Sequence, residues 1–252
     1  MAHLDTVPIC VGADPVKRGR LIVSKNPTTG LGADNRAGCA VVLNTALRLL
    51  RERPSHPPLT FLWTVQEEVG LQGARLLKLA MLSKPQSAFN WDGGLANKVT
   101  IGATGGYRME IDVYGKASHA GGAPERGVSS IVAAAEAIAQ LHRGGWHGLI
   151  QQNGRTGTSN VGVIHGGAAT NVVCDHVRVH AEARSHDKEF RAEIVRQIED
   201  AFRTAASQIQ NQDGQSARVE IQGRLDYEAF CLPVDHPTVI AARAAVERQA
   251  GT

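Results

Sequence analysis

The chain has little of what marks a nucleic-acid-binding, secreted or membrane-spanning protein. Aromatic residues make up 4% of its 252 residues, and although the formal net charge is +3, its basic and acidic residues are interspersed. A surface that tracks phosphates needs clustered cations, usually with aromatics on which bases stack, so no nucleic acid is expected as a partner. The four cysteines, Cys10, Cys39, Cys174 and Cys231, lie far apart and include no Cys-x-x-Cys pair. This spacing predicts reduced thiols in a cytoplasm rather than a disulfide framework. No run reaches the roughly 18 apolar residues of a membrane span, and the first residues lack the charged-then-apolar order of a signal peptide, so no membrane association is expected. Repeats and low-complexity tracts are absent as well.

What is present is a 42% hydrophobic, 20% charged chain, long enough to bury a core and to form two domains. In its first part, strand and helix patterns alternate. Ala40, Leu43, Leu47 and Leu50 recur at helical spacing between Ala37 and Arg53, with Arg48, Arg51 and Arg53 near the C-terminal end, where cations suit the helix dipole. After Pro54 and the Pro57-Pro58 pair, Leu59 to Val65 reads as a strand buried on both faces, and Gln66-Glu67-Glu68-Val69-Gly70 follows directly. A short helix over Leu71 to Leu82 and a strand over Ser87 to Trp91 come next, the strand ending on Asp92. His3, Asp34, Glu67, Glu68 and Asp92 thus fall at strand ends or in the loops after them. In open α/β sheets that edge is where ligands bind.

After Gly105-Gly106 the period changes to two: Tyr107, Met109, Ile111 and Val113 alternate with Arg108, Glu110, Asp112 and Tyr114, as in a half-exposed antiparallel strand. A helix over Ser129 to His142, strands around Ser159–His165 and Val177–Arg184, a helix over Lys188 to Gln208 and a strand around Arg218–Gln222 complete a β-α-β-β-α-β order, that of a ferredoxin-like unit. The expected organisation is a first α/β part over 1–105, a ferredoxin-like lid or dimerisation domain over 106–224, and a return to the first domain over 225–252, ending in a helix from Pro237. The chain begins in what reads as the end of a buried strand and stops after that helix, as expected of a piece of a longer protein.

The chemistry centres on Leu31-Gly32-Ala33-Asp34-Asn35-Arg36-Ala37-Gly38. A carboxylate in a Gly-flanked turn ahead of a helix sits among unpaired N–H groups and is favoured as an anion. With His3, Glu67, Glu68 and Asp92 at the same sheet edge, imidazole and carboxylate form the ligand set of Zn²⁺, and a carboxylate shared between two ions is the core of a two-metal hydrolytic site. Asp5, two residues after His3 in an extended segment, shares its face and is placed to accept the other imidazole N–H. Adjacent Glu67 and Glu68 cannot both face one ion, so one is expected to bind metal and the other to take a proton from the attacking water.

Four successive signatures, His3-Leu4-Asp5-Thr6-Val7-Pro8, Gly32-Ala33-Asp34-Asn35-Arg36-Ala37-Gly38, Glu67-Glu68-Val69-Gly70 and Asp92-Gly93-Gly94, resemble those of the di-zinc aminoacylase/carboxypeptidase superfamily. Gly115-Lys116-Ala117-Ser118-His119-Ala120-Gly121, Thr170 to Asp175, and Ala181-Glu182-Ala183-Arg184-Ser185 resemble its peptidase T-like branch most. The resemblance covers nearly the whole chain in order. It implies an α/β catalytic domain with a mixed, mainly parallel sheet flanked by helices, phosphorylase/hydrolase-like, interrupted by a ferredoxin-like domain through which two copies pair as a homodimer. His3 and Asp92 would bind one metal, Glu68 the other, and Asp34 would bridge them across a cis bond to Asn35. Glu67 would be the general base, with Asp5 orienting His3. His119 would stabilise the oxyanion, often in the partner subunit's site, while Asn171 and Arg184 would hold a substrate carboxylate, a task that suits a guanidinium fork. The cofactor implied is a pair of divalent ions, Zn²⁺ first, with Co²⁺ and Mn²⁺ also fitting carboxylate-rich sites.

One departure counts against full activity. The second metal of the superfamily takes a further His late in the complete chain, and His236 lies too early and in another context. This polypeptide alone is therefore expected to bind the second ion weakly and to turn over poorly or not at all. The leading expectation is a hydrolase of small peptides, aminopeptidase-like and acting on tripeptides. The alternatives are an N-acyl amino acid deacylase, desuccinylase or carboxypeptidase using the same metals, or a non-catalytic relic that only dimerises.

Overall fold

The runs ahead of Glu67 and Asp92 both lie against the first residues of the chain. The structure, a computed structural model, describes residues 1–250 and divides into two units, one formed by Met1–Thr100 with the chain from Val234 on, the other by Ile101–Pro233. The first unit contains β1 (Ala2–His3), the hairpin of β2 (Pro15–Arg18) and β3 (Leu21–Ser24), the helix α1 (Ala33–Glu52), β4 (Trp63–Thr64) and the short helix α2 (Gln72–Arg75). β1 pairs in parallel with β4, His3 opposite Thr64. On its other side the Met1 ammonium donates to the Phe89 carbonyl (2.6 Å) and the Trp91 N–H donates to the Met1 carbonyl (3.0 Å). Three extended segments therefore run the same way, and the residues after each, Leu4–Asp5, Gln66–Glu68 and Asp92, emerge at one edge.

These strands are shorter than the sequence predicts. Of the Leu59–Val65 run only Trp63–Thr64 joins a regular ladder, and Ser87–Trp91 is extended without being a strand, because β1 offers two residues as a template. The helix expected over Leu71 to Leu82 breaks into α2 and a separate 3-10 turn at Leu79–Leu82. Leu76, Leu79 and Met81 are exposed, so no packing holds a longer helix together.

The second unit contains β5 (Gly102–Ala103), β6 (Gly106–Tyr114), α3 (Ser130–Arg143), β7 (Gly148–Gln152), β8 (Arg155–Gly166), β9 (His176–Ser185), α4 (Lys188–Gln208), β10 (Arg218–Tyr227) and β11 (Phe230–Cys231); α5 (Pro237–Ala250) belongs to the first. Its antiparallel sheet has the order β10-β6-β9-β8-β7. Removing β7 leaves the ferredoxin-like order that the sequence predicts. β7 is an addition at the edge, joined to β8 through Asn153-Gly154, both at positive φ (51° and 74°), as a tight hairpin turn requires.

Alternation decides which face is covered. Ile111 and Val113 of β6 and Val177, Val179 and Ala183 of β9 are fully buried, as are Phe190, Ile194, Ile198 and Phe202 of α4 and Ala134 and Ala137 of α3. Each large apolar side chain so buried contributes about 1.5–3 kcal/mol. Both helices begin at a side-chain cap: Ser129 Oγ accepts from the Val132 N–H (3.3 Å) and Asp187 Oδ1 from the Phe190 N–H (2.9 Å). The opposite face of the sheet is polar, with Arg108, Glu110, Arg178, Glu182 and Arg184 linked in ion pairs. No helix among the described residues is long and apolar enough to cross a membrane.

Candidate metal centre

His3 is the pivot of the site. It is 3% exposed, and its Nε2 lies 3.1 Å from Asp34 Oδ1, 3.8 Å from Asp92 Oδ1 and 3.9 Å from Glu67 Oε2. Two sets of ligand atoms converge on it, His3 with Asp34 and Asp92, and His3 with Glu67 and Glu68, the atoms of each set all within 4.8 Å of one another. One imidazole facing four carboxylates is a crowd of like charge that calls for cations, and the donor set is that of divalent ions. Burial pushes the His3 imidazole down, but Asp92, Glu67, Asp34 and Asp5 together raise it above its ordinary range. Burial raises the Glu67 carboxyl, and the neighbouring carboxylates of Asp92, Glu68 and Asp34 reinforce that rise against the opposing pull of His3.

Asp5 works differently from the expectation. The His3 Nδ1 meets the backbone carbonyl of Asp5 at 3.0 Å, with the Asp5 carboxylate 3.5 Å away. The carboxylate itself accepts the Glu67 N–H (3.0 Å) on one oxygen and the Glu68 N–H (3.1 Å) on the other. Asp5 thus fixes the backbone that carries both glutamates, while its main chain orients the imidazole. These two N–H bonds outweigh the effect of burial and hold the Asp5 carboxyl below the usual range.

Asp34 is presented by a kinked helix start. Gly32 takes φ +76°, a conformation that favours glycine, and the Asp34-Asn35 bond is cis. Asn35, which the sequence reading left without a role, is buried; its Nδ2 donates to the Trp91 carbonyl (2.7 Å) and its Oδ1 accepts from the Gly38 N–H (3.2 Å). It ties the Asp34 turn to the segment that ends in Asp92. A Cβ at Gly38 would lie 2.2 Å from Asn35 Oδ1 and 2.3 Å from the Trp91 carbonyl, so only glycine fits there. Cys39 was likewise overlooked; its thiol donates to the His3 carbonyl (3.0 Å).

The remaining candidates lie in the second unit. His119 is bridged to Val172, and the Ala120 N–H donates to the Asn171 carbonyl (2.9 Å), so His119 and Asn171 share one loop cluster. The His119 Nδ1 accepts from the Gly121 N–H (3.1 Å) and the Gly122 N–H (2.9 Å). In the neutral ring the hydrogen therefore sits on Nε2. Arg184 is elsewhere, near the far end of β9, where Nε and Nη2 grip the two oxygens of Glu182 (2.9 and 3.0 Å) and Nη1 donates to the Tyr227 hydroxyl (3.1 Å). From His176 to Arg184 the strand spans about 27 Å.

Two family profiles match the chain, the M42 glutamyl aminopeptidase over residues 1–110 and the peptidase dimerisation domain of the M20 family over residues 101–210. A tripeptidase from Staphylococcus aureus aligns over 99% of this chain and 63% of its own, with a TM-score of 0.85 at 30% identity. The second part of the chain thus matches the dimerisation domain of M20 peptidases, and the chain as a whole is similar to tripeptidases of that family. Another M20 relative of known structure, the aminopeptidase PepT from Bacillus cereus, aligns over 98% of this chain and 63% of its own, with a TM-score of 0.78 at 34% identity. The Bacillus subtilis protein YqjE is 35% identical over 222 residues, 88% of this chain and 56% of that protein. The chain thus spans about half to two thirds of the length of these relatives.

Proposed function

We propose that the protein is a metal-dependent hydrolase that cleaves the amide bonds of small peptides, tripeptides above all, from the amino end. The observation that carries this reading is the convergence of His3, Asp34, Glu67, Glu68 and Asp92 at one edge of the first unit. His3 and Asp92 would hold one divalent ion, Glu68 a second, with Asp34 between them; Zn²⁺ is the first choice, Co²⁺ and Mn²⁺ the others. Bound ions of this kind polarise a carbonyl and lower the pKa of water.

Within the chain, Glu67 takes the proton of the attacking water and returns it to the leaving amine. The Nε2–H of His119 donates to the carbonyl oxygen as it gains charge, and Asn171 and Arg184 hold the substrate carboxylate. An extended tripeptide spans about 10 Å, far less than the part of β9 that separates the His119 end of the sheet from Arg184. One copy therefore cannot bring both to one substrate by itself, which supports a homodimer whose partner supplies His119 and, from the same loop cluster, Asn171. The four unpaired cysteines support a reducing compartment, the cytoplasm.

The test is release of amino acid by the natural protein, loaded with Zn²⁺ or Co²⁺, from a tripeptide and from its N-acetylated twin. Cleavage of the free-amino peptide alone is expected, with Glu67→Gln lowering kcat by about 10²–10⁴-fold while metal content is retained. Cleavage of the acetylated twin alone would move the protein to the deacylase or carboxypeptidase side, and cleavage of neither would favour the non-catalytic reading.

A further inference from the structure

The carboxylates of Asp34 and Asp92 are 58% and 38% exposed, so neither is packed in place and their spacing is that of the backbones that carry them. Asp92 is anchored within its own loop, where it accepts from the Gly93 N–H (2.7 Å) and the Asn90 amide (3.3 Å). What joins that loop to the Asp34 turn is the start of α1. The buried residues of this helix are Asn35, Gly38 and Val42, an amide, a bare backbone and one apolar side chain, while Leu43, Leu47 and Leu50 lie exposed. A buried amide costs free energy unless its polar atoms are bonded. Both ends of Asn35 are bonded, Nδ2 to the carbonyl of Trp91, the residue before Asp92, and Oδ1 to the Gly38 N–H. Four residues on, the half-buried Cys39 reaches the neighbouring strand, its thiol donating to the carbonyl of His3 itself. The first turns of α1 thus grip the main chain at His3 and beside Asp92, and carry Asp34 at their own start.

We infer that Asn35 and Cys39 are positioning residues for the ion held by His3, Asp34 and Asp92: their two hydrogen bonds from α1 set the spacing of these three ligands before an ion arrives. The inference rests on the metal-dependent reading and deepens it, because it names what aligns one half of the centre without touching ion or substrate. Ligands gathered only on binding lose conformational freedom at that moment, and ligands held beforehand have already lost it. Asn35 carries the larger share, since an amide N–H is a stronger donor than a thiol. Gly38 sets how closely the helix approaches. A Cβ there would meet both Asn35 Oδ1 and the Trp91 carbonyl, so Gly38→Ala disturbs the same link from the backbone side.

The test is Co²⁺ binding by the metal-free natural protein, read by competition with a chelating dye and by the visible absorption of the bound ion, which reports its coordination geometry. Asp92→Asn marks the ion concerned by losing it. Asn35→Ala should weaken that ion by about 10–100-fold, the scale of removing a group that orients a ligand, and should change its absorption. Asn35→Ser, which keeps an acceptor for the Gly38 N–H but cannot reach Trp91, should do the same and serves if Asn35→Ala does not fold. Cys39→Ala should weaken the ion about threefold, and Cys39→Ser, which keeps a donor, should bind within about twofold of the parent. Urea denaturation of the metal-free variants reads stability apart from binding. A loss of stability in the Asn35 variants with the affinity and absorption of the parent would make their role merely structural and overturn the inference, as would Cys39→Ser binding no better than Cys39→Ala. No Co²⁺ binding by the parent would overturn it together with the metal-dependent reading. Failure of the peptidase reading shows separately, as a parent protein that binds Co²⁺ and cleaves neither the tripeptide nor its acetylated twin.

Discussion

Two residues show how far side-chain identity alone carries. Asp5 was placed on the His3 face by counting along an extended segment, and it is there, but its carboxylate is spent on the N–H groups of Glu67 and Glu68. That preference depends on where a distant loop passes, which no local pattern encodes. His119 was legible as a candidate from its motif, yet the reason its Nε2 presents a hydrogen is the pair of glycine amides after it. A Cβ on Gly122 would sit 3.3 Å from the imidazole Nδ1, closer than ordinary contact, whereas one on Gly121 would lie at 3.6 Å or more from the ring. Gly122→Ala should therefore lower kcat by about ten- to hundredfold, the scale of losing a donor to a developing oxyanion, and Gly121→Ala should be nearly silent; steady-state kinetics on both variants checks this. Asp112 is a third case. Burial raises its carboxyl, but the hydrogen bonds from Arg178 (3.0 and 3.2 Å) and His176 (2.6 Å) outweigh burial and bring it below the ordinary range. Its folded-state pKa is thus below the unfolded value of about 3.9, so its contribution is complete above that value and disappears as pH falls through the folded one. Asp112→Asn should cost about 1–2 kcal/mol at neutral pH and flatten the acid limb of a plot of Tm against pH.

At the level of elements, long amphipathic segments were read well and short strands poorly. The predicted helix over Lys188 to Gln208 coincides with α4, because a cap at Asp187 and a repeating apolar face act within the segment itself. Replacing Asp187 by Ala should remove about 1 kcal/mol, measurable by urea denaturation. The strands at Leu59–Val65 and Ser87–Trp91 were overextended because a strand exists only where a neighbour pairs with it, and the neighbour here is two residues long. β7 was missed although Asn153-Gly154 between two β-prone runs is a strong hairpin signal. The polar Gln151 and Gln152 masked it, since an edge strand needs one apolar face at most.

For the whole molecule, the sequence showed the order of its parts and the side chains that gather at His3, while the division into units at Ile101 and after Pro233 depends on contacts far apart in the chain. The positions of His119 and Arg184 at opposite ends of β9 have a genetic consequence. Suppose His119→Ala and Arg184→Ala each abolish turnover. If every active site takes His119 from one copy and Arg184 from the other, a dimer containing one of each variant has one site with both residues intact and one with neither. Unfolding the two dead proteins together and refolding them should then recover about a quarter of the parent activity, since about half of the dimers formed are mixed and each has one working site of two. Refolding either protein alone should recover none. Complementation between two inactive alleles would thus reveal that the catalytic unit is the pair, without any measurement of size.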